Sequence, residues 1–218
     1  PTIVTKSADI DKATTGVMRS AFGFGGQKCS ACSRVYVERE VYDDFVSQLK
    51  TKTEQIKVGT PIERDVFLGP IINEAALDTY EEAAEEAQKN GSLVTGGQRI
   101  TEGDLGRGLF VEPTIAEAPE DSWIWHKELF VPFVVVAPFD ELDDAIEKAN
   151  ATEYGLTAGL FSNEQSEIDE WLDRIQAGVV YVNRQAGSTT GAWPGVQPFG
   201  GQGLSGTVDL KTVRPLAY

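Results

Sequence analysis

The chain has 218 residues, with 34 acidic and 19 basic side chains that give a formal net charge of −15. This length suffices for one full-sized domain with a buried core, and the surplus of acids argues against contact with a nucleic-acid backbone. No apolar run approaches the roughly 18 residues of a membrane span, so we expect no membrane contact. No export signal is visible, and two cysteines are too few for a disulfide-stabilised secreted domain, so we expect a cytoplasmic protein.

Helices and strands are predicted to alternate along the chain. Apolar residues at helical spacing predict helices over about 9–22, 41–56, 73–90, 140–150 and 163–176. Predicted strands cover 2–4, 33–37, 93–94, 109–115, 133–137, 156–161 and 179–182. Ser7 or Asp9 could cap the first helix, and Asp140 and Asn163 are residue types that cap later helix starts. This order predicts an α/β fold, with an open, mostly parallel sheet and helices on both faces.

A glycine-rich segment closes the sequence. Residues 187–206 contain seven glycines and two prolines, and Asp209 is the only acidic residue after position 175. Long irregular segments within a compact domain are more often binding loops than plain connections. The loss of acidic side chains makes this the part of the chain that repels an anionic ligand least.

The two cysteines, Cys29 and Cys32, stand three positions apart after a glycine-rich stretch, and four interpretations are open. They could form a redox pair, although such pairs usually cap a helix. They could bind zinc, but a zinc site needs about four ligands and His126 is the only histidine. They could be two buried structural thiols. Alternatively, Cys29 could be a nucleophile on a tight turn, suited to attack on an aldehyde or acyl carbon.

Two further features have plain explanations. Residues 201–206 match the dinucleotide-binding pattern GxGxxG, but no strand ends before them and no acidic residue follows about 20 positions later. We therefore interpret them as a substrate loop. His126 lies beside tryptophans and is expected to be a packed structural residue, and Glu128 taken alone would be a surface acid.

Four segments, in the right order, resemble motifs of the aldehyde dehydrogenase superfamily. Residues 24–34 resemble its nucleophile segment, 127–132 its Glu-Leu/Ile-Phe-x-Pro cofactor motif, and 198–206 its late glycine motif. The run Cys-Ser-Ala-Cys-Ser-Arg from Cys29 is similar to the branch that oxidises L-glutamate γ-semialdehyde, the 1-pyrroline-5-carboxylate dehydrogenases of proline catabolism. Residues 182–192 resemble the aldehyde-anchoring loop of that branch.

The resemblance implies a role for each matching residue. Cys29 would attack the aldehyde and form a thiohemiacetal. Glu128 would bind the nicotinamide ribose of the cofactor, NAD or NADP, and Phe130 would pack beside the nicotinamide ring. No metal is implied.

The resemblance also implies how the substrate is held. Ser30, with the backbone of Gly187 and Ser188, would hold the carboxylate of a small aldehyde, and Phe199 would line the aldehyde pocket. Backbone amides in a glycine loop, together with a hydroxyl, suit a carboxylate on physical grounds as well.

The resemblance further predicts the domain organisation. Residues 1–206 would be the catalytic domain and 207–218 a C-terminal tail of uncertain role, with the NAD-binding domain absent from this chain. We expect a piece of a longer, homo-oligomeric enzyme that folds but does not turn over alone. The alternatives are a dehydrogenase for a different small aldehyde and an inert structural or assembly fragment.

Overall fold

The computed structural model describes residues 1–193, 195–197 and 199–206; Pro198 and the expected tail 207–218 lie outside the described residues. In chain order the strands are β1 (Thr2–Val4), β2 (Arg34–Glu38), β3 (Ser92–Thr95), β4 (Thr114–Glu117), β5 (Phe133–Phe139), β6 (Tyr154–Gly155), β7 (Thr157–Phe161), β8 (Val179–Val182) and β9 (Gln202–Gly203). The helices are α1 (Ile10–Phe22), α2 (Arg39–Glu54), α3 (Glu74–Asn90), α4 (Leu142–Asn150) and α5 (Gln165–Arg174).

Seven of the strands that the structure describes form one twisted sheet in the order β3-β4-β5-β2-β1-β7-β8. β3 pairs antiparallel with β4, and every other pairing in this sheet is parallel. The predicted mostly parallel α/β fold is therefore confirmed. A separate antiparallel pairing joins β6 to β9 and brings the start of the final glycine-rich motif back to residues 154–155.

Helices cover both faces of the sheet because its strands are apolar on both sides. Val35 and Val37 of β2 pack into one buried cluster with α1 and α2, whereas Tyr36 points into the other. That second cluster contains Tyr80 of α3 and Trp171 of α5, both fully buried. Side chains that alternate between two cores are expected of a strand that lies in the middle layer of three.

Several predicted element ends are wrong for identifiable reasons. The strand expected at 109–115 begins only at Thr114, after Pro113, because proline has no N–H group to donate to a sheet. Asp140 does not cap α4, since its carboxylate pairs with Arg39, 2.9 Å from Nη2. Asn163 does not cap α5 either, because its side-chain amide donates to the carbonyl of Ser7 at 2.8 Å. The cap predicted at Asp9 is confirmed, with a bond from the backbone N–H of Lys12 at 3.1 Å.

The connections on the two edges of the sheet differ in length. Where parallel strands end, the chain enters the next helix at once after β2, through 140–141 after β5 and through 162–164 after β7. Where parallel strands begin, the preceding connections are residues 23–33, 118–132, 151–156 and 175–178. These connections bring irregular backbone to the amino ends of β2, β5, β7 and β8, and the stretches 118–132 and 183–201 also leave the carboxyl ends of β4 and β8. Within the described ranges, no helix has the length and apolarity needed to cross a bilayer.

Candidate active site

A cavity of about 320 Å³ opens at the amino ends of the parallel strands. Its wall includes Pro1, Arg34, Phe133 and Thr157, which stand at or next to the starts of β1, β2, β5 and β7. Ligands of open α/β sheets usually bind at the opposite edge, where the strands end. The long connections described above place this cavity on the other side.

Cys29 lies on this cavity, at the tip of a tight turn. The turn is closed by a hydrogen bond of 2.9 Å from the N–H of Ala31 to the carbonyl of Lys28, so Cys29 and Ser30 occupy its two central positions. Cys29 is exposed and its thiol is free. A free, accessible thiol at the tip of a turn can reach a carbonyl carbon in the cavity.

The glycines before Cys29 allow this loop to approach its neighbour closely. Gly25 and Gly26 have left-handed backbone, with φ of +68° and +66°. A Cβ on Gly26 would lie 2.3 Å from the carbonyl oxygen of Val131. The loop that carries the cysteine is therefore in backbone contact with the 127–132 segment, and only glycine fits at the point of contact.

Glu128 and Phe130 line the same cavity as Cys29, so the structure brings these three predicted site residues together. Phe130 has a φ of +59°, which is unfavourable for a bulky side chain, and its ring stays 43% exposed. Strained backbone of this kind gathers at functional sites. The carboxyl of Glu128 is accessible yet partly desolvated by the cavity, and this partial burial raises its pKa.

The second thiol has different surroundings from the first. Cys32 is buried, with its Sγ 3.2 Å from the hydroxyl oxygen of Thr2. His126 is exposed on the cavity wall, with Nε2 3.0 Å from the carbonyl of Glu120, so the expectation of a packed histidine was wrong. No group of three or more His, Cys, Asp or Glu residues that could hold a metal ion occurs in the part of the chain that the structure describes.

The expected carboxylate anchor is not available where the sequence placed it. Ser188 is 1% exposed, and its amide N–H donates to the carbonyl of Gly16 at 2.9 Å. The amide of Gly187 donates to the carbonyl of Arg184 at 3.4 Å. Both expected donors are thus paired within the fold, and the anchor at Gly187 and Ser188 stays a prediction. Three positions after Ser188, the half-exposed Gly191 and the following Ala192 have no hydrogen-bond partner for their amides among the described residues.

Ser30 and Phe199 do not line the cavity. Ser30 is half-buried, with its carbonyl bonded to the 187–190 turn, and Phe199 is 45% exposed on the final loop. Tyr154 and Leu204, which the motifs do not single out as site residues, also belong to the cavity wall. The pairing of β6 with β9 brings them there, and Ser205 of the late glycine motif supports it by accepting the N–H of Gly155 at 3.2 Å.

A mostly parallel α/β domain with an accessible cysteine on the same cavity as Glu128 and Phe130 matches the motifs of one class of enzymes. The sequence model described as the aldehyde dehydrogenase family matches residues 1–213, and the chain belongs to this family. The resemblance stated from the motifs is thereby confirmed.

The individual relatives narrow the comparison to one branch. The chain is 40% identical over 214 residues to 1-pyrroline-5-carboxylate dehydrogenase of Geobacillus sp. (strain WCH70), a match covering 98% of this chain and 40% of the relative. The enzyme of that name from Bacillus subtilis (strain 168) is 38% identical over the same length. The chain therefore spans about 40% of the length of the curated relatives it matches.

Solved structures agree with this placement. The 1-pyrroline-5-carboxylate dehydrogenase from Thermus with bound NAD superposes with a TM-score of 0.87 at 37% identity, covering 94% of this chain and 39% of that one. An NAD-dependent aldehyde dehydrogenase from Sinorhizobium meliloti gives 0.86 at 29% identity, with the same coverage of both chains.

Proposed function

We propose that this chain supplies the nucleophile of an NAD-dependent dehydrogenase that oxidises L-glutamate γ-semialdehyde to glutamate. The observation that carries the proposal is the exposed Cys29 at the tip of a tight turn, on one cavity with Glu128 and Phe130. The names of the relatives support the choice of substrate, which links the protein to proline catabolism.

Cys29 takes part at the beginning and the end of the proposed reaction. Its thiol gives up a proton, and the thiolate sulfur bonds to the aldehyde carbon, leaving a thiohemiacetal on the enzyme. NAD, when bound, would accept the hydrogen of this carbon as a hydride, and the hydroxyl proton of the thiohemiacetal would leave to water, which gives the thioester. Water then adds its hydroxyl to the resulting thioester carbon, the carbon–sulfur bond breaks, and Cys29 regains its proton as the carboxylic acid departs.

The cavity fits the nicotinamide half of the cofactor. A carboxylate such as that of Glu128 accepts hydrogen bonds from ribose hydroxyls, and the partly exposed ring of Phe130 offers a flat face to a flat heterocycle. At about 320 Å³ the cavity lies at the small end of the range for ligand pockets. We therefore propose that the remainder of the dinucleotide is bound by a domain outside residues 1–206.

The substrate carboxylate requires hydrogen-bond donors, and we propose that amides of the loop after Thr190 supply them. The amides of Gly191 and Ala192 are the proposed anchor, joined by the hydroxyl of Ser30, and Phe199 is the proposed apolar wall. Their support is that both loop residues are half-exposed and carry amides without partners among the described residues. The homo-oligomer and the cytoplasmic location stay predictions.

The test measures how fast each thiol is alkylated in the 218-residue chain. Site-resolved mass spectrometry after treatment with iodoacetamide should show Cys29 reacting faster than Cys32, and glutamate γ-semialdehyde should protect Cys29 by reversible thiohemiacetal formation. Butyraldehyde, which has no carboxylate, should protect less well.

The Cys32→Ala variant is the matched control and should keep the alkylation rate of Cys29. Equal rates for the two thiols would contradict the proposal and favour an inert fragment. A reversible disulfide between Cys29 and Cys32 in a redox titration would favour the redox pair. Equal protection by both aldehydes would favour a dehydrogenase for another substrate.

A further inference from the structure

Two segments that are far apart in sequence are joined by hydroxyl groups directly behind Cys29. The Oγ1 of Thr189 donates to the carbonyl of Ser30 at 2.7 Å, and it lies 2.6 Å from the Oγ of Ser20 in α1. The backbone N–H of Thr189 donates to the same Ser20 Oγ at 3.2 Å. We call Ser20, Thr189 and the Ser30 carbonyl the hydroxyl clamp.

The donor and the acceptor of each hydrogen bond in the hydroxyl clamp can be assigned. A carbonyl can only accept, so the single hydroxyl proton of Thr189 goes to Ser30. The hydroxyl of Ser20 must then donate to Thr189, because the Thr189 oxygen has no second proton to give. Ser20 also binds the chain just after the turn that carries Cys29, because the backbone carbonyl of Ser20 accepts a hydrogen bond from the N–H of Cys32 at 3.3 Å. The hydroxyl clamp is thus fully paired.

The surroundings hold the 187–190 turn rigidly in this position. Ser20 and Thr189 are at most 1% exposed. A Cβ on Gly159 would lie 2.3 Å from the carbonyl oxygen of Ser188, so β7 packs directly against the turn. The hydroxyl of Thr2 in β1 donates to the hydroxyl of Ser188 at 2.9 Å. The turn is therefore fixed to α1, β1 and β7 at once.

We propose that Ser20 and Thr189 are positioning residues that set the distance between the Cys29 sulfur and the loop that follows Thr189. The inference rests on the proposed function, because it assigns the two ends of the substrate to Cys29 and to the amides of Gly191 and Ala192. Thr189 stands two residues before Gly191 and is bonded to the residue after Cys29. One hydroxyl therefore links the site of attack to the site of anchoring.

Thr189→Val is the variant that separates this role from general support. Valine has nearly the same shape as threonine, but its methyl group cannot bond to the Ser30 carbonyl and comes too close to it at 2.7 Å. The protection constants of glutamate γ-semialdehyde and of butyraldehyde against alkylation of Cys29 are measured for each variant. We expect the preference for the aldehyde with the carboxylate to fall about tenfold in Thr189→Val, which corresponds to about 1.4 kcal/mol.

Two variants control for the substitution itself. Thr189→Ser keeps the hydroxyl and should restore the preference. Thr190→Val makes the same change at the neighbouring buried threonine, whose hydroxyl has no hydrogen bond among the described residues, and should keep the wild-type preference. If Thr189→Val fails to fold by near-ultraviolet circular dichroism, Ser20→Ala replaces it and should reduce the preference in the same direction.

The outcomes distinguish the inference from the function on which it rests. An equal loss of protection by both aldehydes, or a lower melting temperature with an unchanged preference, would overturn the positioning role and leave the proposed function intact. A wild-type chain whose Cys29 reacts no faster than Cys32 would overturn the proposed function itself, and the positioning role with it.

Discussion

Gly26→Ala should destabilise the chain much more than the same substitution at Gly103, although both glycines have left-handed backbone, with φ of +66° and +59°. The conformational strain that alanine adds is about 1–2 kcal/mol at either position. At Gly103 a Cβ would have nothing within 4 Å. At Gly26 it would lie 2.3 Å from the oxygen of Val131 and 2.9 Å from that of Ala21, and both are backbone atoms, which cannot turn away as the end of a flexible side chain can.

The contact at Gly26 sets the size of the difference. Overpacking of this kind costs about 1–3 kcal/mol beyond the strain, so the two variants should differ by about 2 kcal/mol in free energy of unfolding. For a chain of this size that corresponds to a difference of about 4–8 °C in melting temperature. Thermal unfolding followed by circular dichroism measures it, and alkylation of Cys29 should change only in Gly26→Ala. Equal losses of melting temperature in the two variants would refute the close approach.

Two further predictions concern the residues beside Cys29. Phe130→Gly should have a free energy of unfolding about 1 kcal/mol higher than Phe130→Ala, because glycine adopts a φ of +59° without steric strain and alanine does not. Urea unfolding measures the difference. A more stable alanine variant would contradict the interpretation that the backbone is strained here. Burial raises the pKa of Glu128, so above its ordinary value of 4.5 the folded chain holds a proton that the unfolded chain has lost. Stability should therefore fall as pH rises through this window in the wild type relative to Glu128→Gln, and parallel stability curves would count against the raised pKa.

The fold was predictable from the sequence because its signals are local. Apolar periodicity and the cap at Asp9 depend on neighbours along the chain, and the helices and strands follow them. The two helix-cap errors arose where a distant partner competes for a side chain. Asp140 pairs with Arg39 and Asn163 with Ser7, so neither is free to cap the helix that follows it.

The candidate site was predictable only in part, for the same reason. The glycines before Cys29 indicated a tight turn, and the turn is there. Nothing in the sequence indicated that the amide of Ser188, an expected anchor donor, bonds to the carbonyl of Gly16, a residue near the other end of the chain. Neither the periodicity nor the spacing of the sequence reveals such a hydrogen bond. The position of the cavity at the amino ends of the strands was likewise hidden, because long connections occur at both ends of the parallel strands.

The sheet separates the carboxyl ends of its strands from the cavity that contains Cys29. β5 runs from Phe133 beside the cavity to Phe139, seven residues or about 20 Å at 3.3 Å per residue. The short connections 140–141 and 162–164 therefore lie a strand's length from Cys29, and the ion pair of Asp140 with Arg39 there is exposed and contributes little. A fluorescent label or affinity tag inserted into these connections would leave the cavity unchanged, whereas the same insertion into 151–156 would alter the residues that line it.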